Sequence, residues 1–306
     1  MSKILVTGGA GFIGSNLVDA LIDQGQEVLV VDNLSTGNKA NLNSKAKFFE
    51  LDIQDKKLAE IFEKEKPEIV FHAAAQIDVR KSVEDPIWDA SQNILGSINL
   101  FENCKQFKVK KIIFSSTGGA IYGDTDKIPT TEKQPELPIS PYGIAKLAIE
   151  KYLNYYYRVF SLPYIALRYS NVYGPRQNSK GEAGVVAIFC DKLLAGQAPI
   201  INGDGKQTRD YVYVGDVVRA NLLALESSQI GVYNIGTSIE TDVNQLVSSI
   251  KENIKADVEF SHGPAKAGEQ QKSCIDFARA KKELGWQPEV TLEEGIKKTV
   301  DWFKKI

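Results

Sequence analysis

The chain of 306 residues predicts an α/β fold, a doubly wound parallel sheet followed by a smaller C-terminal lobe. Three observations carry that reading. Short apolar runs of strand length alternate with stretches of helical periodicity, which is the pattern of a sheet covered by helices on both faces. The first run opens into Gly8-Gly9-Ala10-Gly11-Phe12-Ile13-Gly14 and the second closes on Asp32. Past Gly174-Pro175 the texture changes to loops rich in glycine and polar residues.

Taken in order, Ile4-Leu5-Val6 is the first strand, and the glycine run is the turn that leaves it. Ile13, Leu17, Val18 and Leu21 then share one helical face, Gly25 ends that helix, and Val28 to Val31 reads as a second buried strand. Further strands are expected at Phe48 to Leu51, Ile69 to Phe71, Ile112 to Phe114 and Tyr164 to Leu167, with helical spacing between them at Leu58, Ile61 and Phe62. Beyond Gly174 a helix is expected near Val185 to Leu194, then a loop at Asn202-Gly203-Asp204-Gly205. A helix near Val217 to Leu225 and a strand at Val232 to Ile235 return to the first unit. Thr291-Leu292-Glu293-Glu294 is a capping box for a last helix carrying Ile296, Val300 and Phe303. The expected division is residues 1–171 as a dinucleotide-binding domain, with a return near 213–242, and 172–306 as a substrate lobe. No internal repeat or low-complexity tract interrupts it.

The glycine run, its helix and Asp32 together form a Rossmann-type dinucleotide grip. Gly8, Gly11 and Gly14 let the backbone turn tightly and let a pyrophosphate approach, while the helix presents free N–H groups and its positive dipole end. A carboxylate at Asp32, at a strand's carboxyl end, accepts bonds from ribose hydroxyls and repels a 2′-phosphate, which selects NAD over NADP. A ligand-free glycine turn is the competing reading, and the register of strand, glycines, helix, strand and acid disfavours it. Asp52-Ile53 and Ala73-Ala74-Ala75 follow the third and fourth strands, where a cofactor would cross the carboxyl edge. The alanines taken alone fit tight helix packing almost as well. The spacing of the glycines, three apart, resembles the extended branch of the short-chain dehydrogenase/reductase superfamily.

Composition bounds the function class. At 43% hydrophobic and 25% charged, the chain is ordinary for a soluble protein with a sizeable core. The net charge of −2 offers no basic footprint for nucleic acid, and Lys108, Lys110 and Lys111 read as a solvated turn. No apolar run reaches membrane-spanning length, and the first strand begins at once, so neither a membrane partner nor a signal peptide is expected. Cys104, Cys190 and Cys274 are odd in number and far apart, which fits buried thiols in a reducing cytoplasm. With His72 and His262 as the two histidines and no Cys-x-x-Cys, no metal site is expected.

The reaction chemistry lies mid-chain. Tyr142 and Lys146 are four residues apart on a helix beginning near Pro141, so they share one face. A free phenol has a pKa of about 10, and a neighbouring cation together with a positive nicotinamide ring favours the phenolate, which makes Tyr142 a base. Ser115-Ser116-Thr117 ends the fifth strand and presents hydroxyls at the same edge. Each signal alone arises by chance; three pointing to one crevice do not.

The set Gly8 to Gly14, Asp32, Asp52-Ile53, the run Phe114 to Gly123, Tyr142 with Lys146, and the run Arg168 to Arg176 resembles the UDP-galactose 4-epimerase family over nearly the whole chain. The resemblance implies a tightly held NAD contacted by Gly8, Gly11, Phe12, Ile13, Gly14, Asp32, Asn33, Asp52, Ile53, Ala73, Ala74, Ala75, Tyr142, Lys146 and Tyr169. It implies that Tyr142 removes the 4-hydroxyl proton of a UDP-hexose while hydride leaves C4. The 4-keto sugar then turns over, and hydride returns to its other face. Catalytic roles fall to Tyr142, Lys146 and Thr117, although Gly118 is one residue more than many relatives carry and leaves Ser116 a rival. Substrate contacts are implied at Thr117, Tyr142, Asn171, Arg209, Glu269 and Ser273. Arg209 would grip the diphosphate. Lys266 and Glu269 stand where many relatives have arginine and aspartate, which loosens the implied uridine preference. Small Ser273 stands at the position that limits bulk at C2, so an N-acetyl group is expected to fit.

Other chemistries remain alongside. A 4,6-dehydratase needs acid and base side chains just after the strand-five hydroxyls, where this chain has Gly118 and Gly119. A uronate epimerase or decarboxylase stays open, and so does a dinucleotide sensor without catalysis, against which Tyr142 and Lys146 speak. Helices near Trp88 to Phe107 and Lys146 to Phe160 resemble those that pair subunits in the family. The implied assembly is a homodimer, with Tyr155-Tyr156-Tyr157 offering aromatic contact area.

Overall fold

In the computed structural model, which describes residues 2–179, 184–265 and 270–305, the chain alternates strand and helix from its start. The elements are β1 (Lys3–Thr7), α1 (Phe12–Asp23), β2 (Glu27–Asp32), β3 (Lys47–Glu50), α2 (Leu58–Glu65), β4 (Ile69–His72), α3 (Val79–Glu84) and α4 (Pro86–Ala90). A π-turn over Ser91–Leu95 joins α4 to α5 (Gly96–Gln106), followed by β5 (Lys111–Thr117), α6 (Gly118–Ile121), α7 (Pro141–Phe160), β6 (Tyr164–Tyr169) and β7 (Asn171–Tyr173). Then come α8 (Val185–Leu194), β8 (Ile200–Asn202), β9 (Thr208–Arg209), β10 (Tyr211–Tyr213), α9 (Val214–Glu226) and β11 (Gly231–Ile235). The remainder is β12 (Thr241–Asp242), α10 (Val243–Ile254), β13 (Ser261–Gly263), β14 (Lys272–Ser273), α11 (Ala278–Leu284) and α12 (Leu292–Phe303).

Seven strands form one sheet in the order β11-β6-β5-β4-β1-β2-β3, and every pairing in it is parallel. The chain leaves β1 toward β2 and β3, then crosses to β4 on the other side of β1, so the topological switch lies between β1 and β4. Ligands of open α/β sheets bind outside that point. Both faces of the sheet are covered, which is why its strands are continuous apolar runs rather than alternating ones. Val6, Val30, Phe71 and Ile165 pack with Leu17, Val217 and Trp286 on one face. Leu5, Leu29, Val70 and Ile112 pack with Phe62, Phe101 and Leu153 on the other. A third core joins α8, α10 and α12 through Phe189, Leu246 and Val300.

Strands and helices expected for the sheet occur within a few residues of the sequence reading, and β11 pairs with β6 at the sheet edge. The helix expected from Trp88 to Phe107 runs from Pro86 to Gln106 and holds the π-turn within it. Of the Thr291 capping box, the half in which Thr291 Oγ1 accepts from Glu294 N at 3.3 Å forms. Unforeseen was α10, whose start carries a full capping box between Asp242 and Gln245 and whose apolar positions Val243, Leu246, Val247 and Ile250 are spaced as a helix demands. Within Tyr155-Tyr156-Tyr157, Tyr156 belongs to the core at 2% exposure, its hydroxyl bonded to Glu102 at 2.7 Å. The outward aromatic area is therefore that of Tyr155 and Tyr157.

A buried ion network ties α7 to the sheet. Arg168 of β6, 1% exposed, donates from Nε to Glu150 Oε1 at 2.9 Å and from Nη2 to Glu150 Oε2 at 2.6 Å. Its Nη1 meets Tyr122 Oη at 2.8 Å, and Tyr122 in turn donates to Asn234 Oδ1 at 2.8 Å. Arg168 Nη2 also meets Glu136 Oε1 at 2.6 Å, so removing Glu150 leaves the buried guanidinium half-paired and the Ser116 hydroxyl without its acceptor. Glu150→Ala is accordingly expected to lower the unfolding free energy by about 3–5 kcal/mol, read as the midpoint shift in urea denaturation.

Candidate active site

The glycine turn sits at the switch point because only bare backbone fits there. Gly8 takes φ +72°, and a Cβ on it would stand 2.6 Å from the Ala74 backbone nitrogen. A Cβ on Gly14 would lie 2.1 Å from Gly8 O. Gly8 N donates to Val31 O at 2.8 Å and Gly11 N to Gly8 O at 3.1 Å, closing the turn. α1 begins at Gly11 with no side-chain cap, so its first N–H groups and dipole face outward from the sheet edge. Phe12 and Ile13 form the first residues of that helix.

Asp32 ends β2 beside this turn. Its Oδ2 accepts from Ala10 N at 2.9 Å and its Oδ1 from Leu34 N at 2.8 Å, which orients the carboxylate and leaves each oxygen a further lone pair. Asn33 donates to Asp52 Oδ2 at 2.7 Å, and Asp52 Oδ1 caps Gln54 N at 2.8 Å. Asn99 of α5 holds the Ile53 carbonyl at 2.6 Å. The predicted residues Asp32, Asn33, Asp52 and Ile53 thus form one hydrogen-bonded rim.

Across the switch, Ala73 N donates to Thr7 O at 3.1 Å and Ala74 N to Thr7 Oγ1 at 3.3 Å. The Thr7 hydroxyl meets His72 Nδ1 at 2.8 Å, and His72 Nε2 meets Ser97 Oγ at 2.8 Å. Ser97 spends its own proton on Asn93 O at 2.6 Å, so His72 donates from Nε2, and a neutral ring then accepts from Thr7 at Nδ1. Burial, then the Lys146 charge, lowers its pKa from 6.5 to about 3, so the imidazole is neutral.

α7 delivers the reacting pair. Pro141 occupies its first turn, Ser140 Oγ accepts from Gly143 N at 3.1 Å, and Ser82 Oγ of α3 accepts from Tyr142 N at 3.3 Å. Lys146, 3% exposed, donates to the Ser115 carbonyl at 2.8 Å and lies 5.9 Å from the Tyr142 ring centre. Burial lowers the Lys146 pKa to about 8, against the opposing pull of Asp89 and Glu150. Burial, then Asp89, pushes the Tyr142 phenol up. The lowering expected of Tyr142 is thus not supplied by the protein's side chains alone.

The hydroxyls of Ser116 and Thr117 go different ways. Ser116 Oγ donates to Glu150 Oε1 at 2.5 Å, inside the ion network. Thr117 Oγ1, Asn171 Oδ1 and Ser273 Oγ each lie 3.9 Å from the point where a Cβ on Gly119 would stand. Three residues from three separate segments so converge over one glycine. Arg209 of β9 is paired in register with Ser273 of β14, and its Nη1 donates to Thr208 O at 2.8 Å. The buried Asp210 carboxylate fastens this corner, accepting from Thr237 N at 2.8 Å and Thr237 Oγ1 at 2.7 Å. Tyr169 is buried at 4% exposure, and its hydroxyl is taken by Asn221 Nδ2 at 2.9 Å. Glu269 and Lys266 lie outside the described residues.

Ser82, Asp89, Asn93 and Glu150 escaped sequence reasoning. Glu150 alone left a trace, standing four residues after Lys146 as Lys146 stands four after Tyr142.

The sequence profile of the NAD dependent epimerase/dehydratase family matches residues 4–236. A putative UDP-glucose 4-epimerase of Methanocaldococcus jannaschii is 50% identical over 98% of each chain. Among solved structures, UDP-glucose 4-epimerase of Thermotoga maritima with UDP-glucose superposes with TM-score 0.97 at 54% identity, covering 99% of both chains. The Thermus thermophilus UDP-glucose 4-epimerase complex with NAD superposes with TM-score 0.94 at 43% identity, again over 99% of both.

His72 makes a pH signature. Its folded pKa lies below its unfolded value, so the unfolded chain binds the extra proton. The stability it contributes is complete above pH 6.5 and is lost as pH falls toward 3. Urea denaturation from pH 6.5 downward is expected to show a loss approaching about 1.4 kcal/mol per pH unit from this group, and His72→Gln to flatten that slope.

Proposed function

The chain belongs to the NAD dependent epimerase/dehydratase family, and on that premise we propose that it is an isomerase, an NAD-dependent 4-epimerase that interconverts UDP-glucose and UDP-galactose. The observation that carries this is the convergence of Thr117, Asn171 and Ser273 over Gly119, at the end of the same strand whose Ser115 carbonyl holds Lys146 beside Tyr142.

The residues present fit NAD. Gly8 and Gly14 leave a cradle that a Cβ would fill, α1 starts uncapped over it, and Asp32 is oriented at the ribose position by two backbone bonds. Residues 1–171 with the return at 213–242 are taken as the NAD-binding domain, and 172–306 as the nucleotide-sugar lobe. When bound, NAD supplies a hydride acceptor that returns the hydride within one cycle. Tyr142 holds and returns the proton of the sugar 4-hydroxyl. Lys146 steadies the phenolate by its charge, and Thr117 donates to the reacting oxygen. Asn171 orients the sugar. Arg209 binds the diphosphate through its planar fork. Gly118 and Gly119 have no side chain to serve as acid or base, which supports epimerisation over dehydration. Ser273 leaves room at C2 for an N-acetyl group, so the N-acetyl forms are included among the substrates.

Among the described residues no helix is long and apolar enough to cross a membrane. The buried free thiols Cys104, Cys190 and Cys274 support a cytoplasmic location. A homodimer through α4, the π-turn and α7 is supported by exposed Ile87 at 83%, Leu95 at 59% and Val159 at 58%, with Trp88, Tyr152 and Tyr155.

Purified protein incubated with UDP-hexoses and their N-acetyl forms, without added NAD, is expected to yield the C4 epimers by chromatography. Tyr142→Phe is expected to lose turnover by roughly 10²–10⁴ while retaining NAD. Conversion of no UDP-hexose, or full activity in Tyr142→Phe, would refute the reading. Light scattering at micromolar concentration should give twice the chain mass of 33.8 kDa; a monomer there would overturn the dimer.

A further inference from the structure

Asp89 lies on α4, which packs against α7, and it is 1% exposed. Its Oδ1 is firmly held, accepting from Gln76 Nε2 at 2.9 Å and Asn93 Nδ2 at 3.0 Å. Gln76 and Asn93 are locked to each other in turn, through Gln76 N to Asn93 Oδ1 at 2.9 Å and Asn93 Nδ2 to Gln76 O at 3.0 Å. Asp89 Oδ2 is buried and has no hydrogen-bond partner. A buried carboxylate oxygen left bare is costly and calls for a compensating charge.

The compensating charge is on α7. α4 packs on α7, where the buried Lys146 ammonium stands 5.9 Å from the Tyr142 ring centre; burial raises the Asp89 pKa and the Lys146 charge opposes that rise, while Asp89 favours the charged form of Lys146 and disfavours the Tyr142 phenolate. The other groups around the pair are already spent or neutral. Glu150, on α7 itself, is bonded to Arg168 of β6 and to Ser116 of β5. His72 of β4 is neutral. On α3, Arg80, Lys81 and Glu84 are solvent-exposed, and that helix offers Tyr142 only the Ser82 hydroxyl. Glu102 and Lys105 of α5 bond to each other, and Glu102 also to Tyr156. On β5, Lys111 is tied to the carbonyls of Ala224 and Ser227. α6 and the π-turn carry no charged residue.

We propose that Asp89 is a positioning residue of the reacting pair, a fixed counter-charge that Gln76 and Asn93 hold against α7 to keep the Lys146 ammonium charged beside Tyr142. It rests on the reading of Tyr142 and Lys146 given above. Burial favours loss of the Lys146 proton; the carboxylate opposes that loss, at the cost of also disfavouring the phenolate. Asp89 therefore sets where on the pH scale the pair works.

The test is the pH profile of kcat for Asp89→Asn, which keeps shape and the Oδ1 acceptor but removes the charge, with Asp89→Ser as a second variant. Both the acid and the alkaline limb are expected to move to lower pH by about one unit. On the alkaline side turnover then falls roughly tenfold relative to wild type, while KM and NAD content are kept. Variants that keep the wild-type profile, that lose rate equally at every pH, or that lose the fold, overturn the proposal and leave Asp89 a structural residue. If the unaltered protein converts no UDP-hexose, or Tyr142→Phe stays active, the functional reading fails first and this inference falls with it.

Discussion

The turn after β1 passes so close to the turn after β4 that a side chain on Gly8 would strike the backbone of Ala73 and Ala74. This approach is the constraint on which the site depends. It follows from the parallel register that places Thr7 opposite His72 and from the reversal of strand order at that point. A parallel sheet leaves its carboxyl ends open, and the reversal parts the loops there into a crevice. The Thr7, His72, Ser97 and Asn93 chain then joins the two sides and runs on through Gln76 to Asp89. One polar seam so links the turn after β1 to α4, which packs against α7.

α7 is used along its whole inner face. Tyr142 and Lys146 face the crevice, and Glu150, one turn further, enters the interior to meet Arg168. The same carboxylate takes the Ser116 hydroxyl, while the Thr117 hydroxyl lies with Asn171 and Ser273 over Gly119. Anchoring and chemistry are therefore not separable on this helix. The register of α7 against β5 and β6, set by a buried ion network, decides where the phenol stands. The low dielectric that makes the network strong also makes Lys146 reluctant to hold its charge, so nearby carboxylates act on chemistry as well as on stability.

Much of this was legible in the chain. Strand and helix placement followed from period and apolar content, and the glycine turn with Asp32 beside it, and Tyr142 with Lys146 on one helix, were readable because each belongs to a short local pattern whose parts meet through backbone geometry alone. The substrate corner was legible only through resemblance. Thr117, Asn171 and Ser273 are far apart in sequence and meet because β7 begins where β6 ends and β14 lies beside β9. α10 was missed although its capping pair and periodicity were present, because the polar, glycine-rich surroundings masked them.

By itself, then, the sequence determined the architecture, the glycine turn after β1 and the placing of Tyr142 and Lys146 one turn apart on a helix, since those depend on spacings of two, three and four residues that strands, turns and helices impose. Tertiary structure decided that Ser116 rather than Thr117 is taken by Glu150, that the Tyr142 phenol is pushed up rather than down, and that His72 is neutral and Asp89 half-satisfied. The physical reason is that hydrogen-bond allocation and desolvation depend on which distant groups share the same buried volume, and no local spacing encodes that.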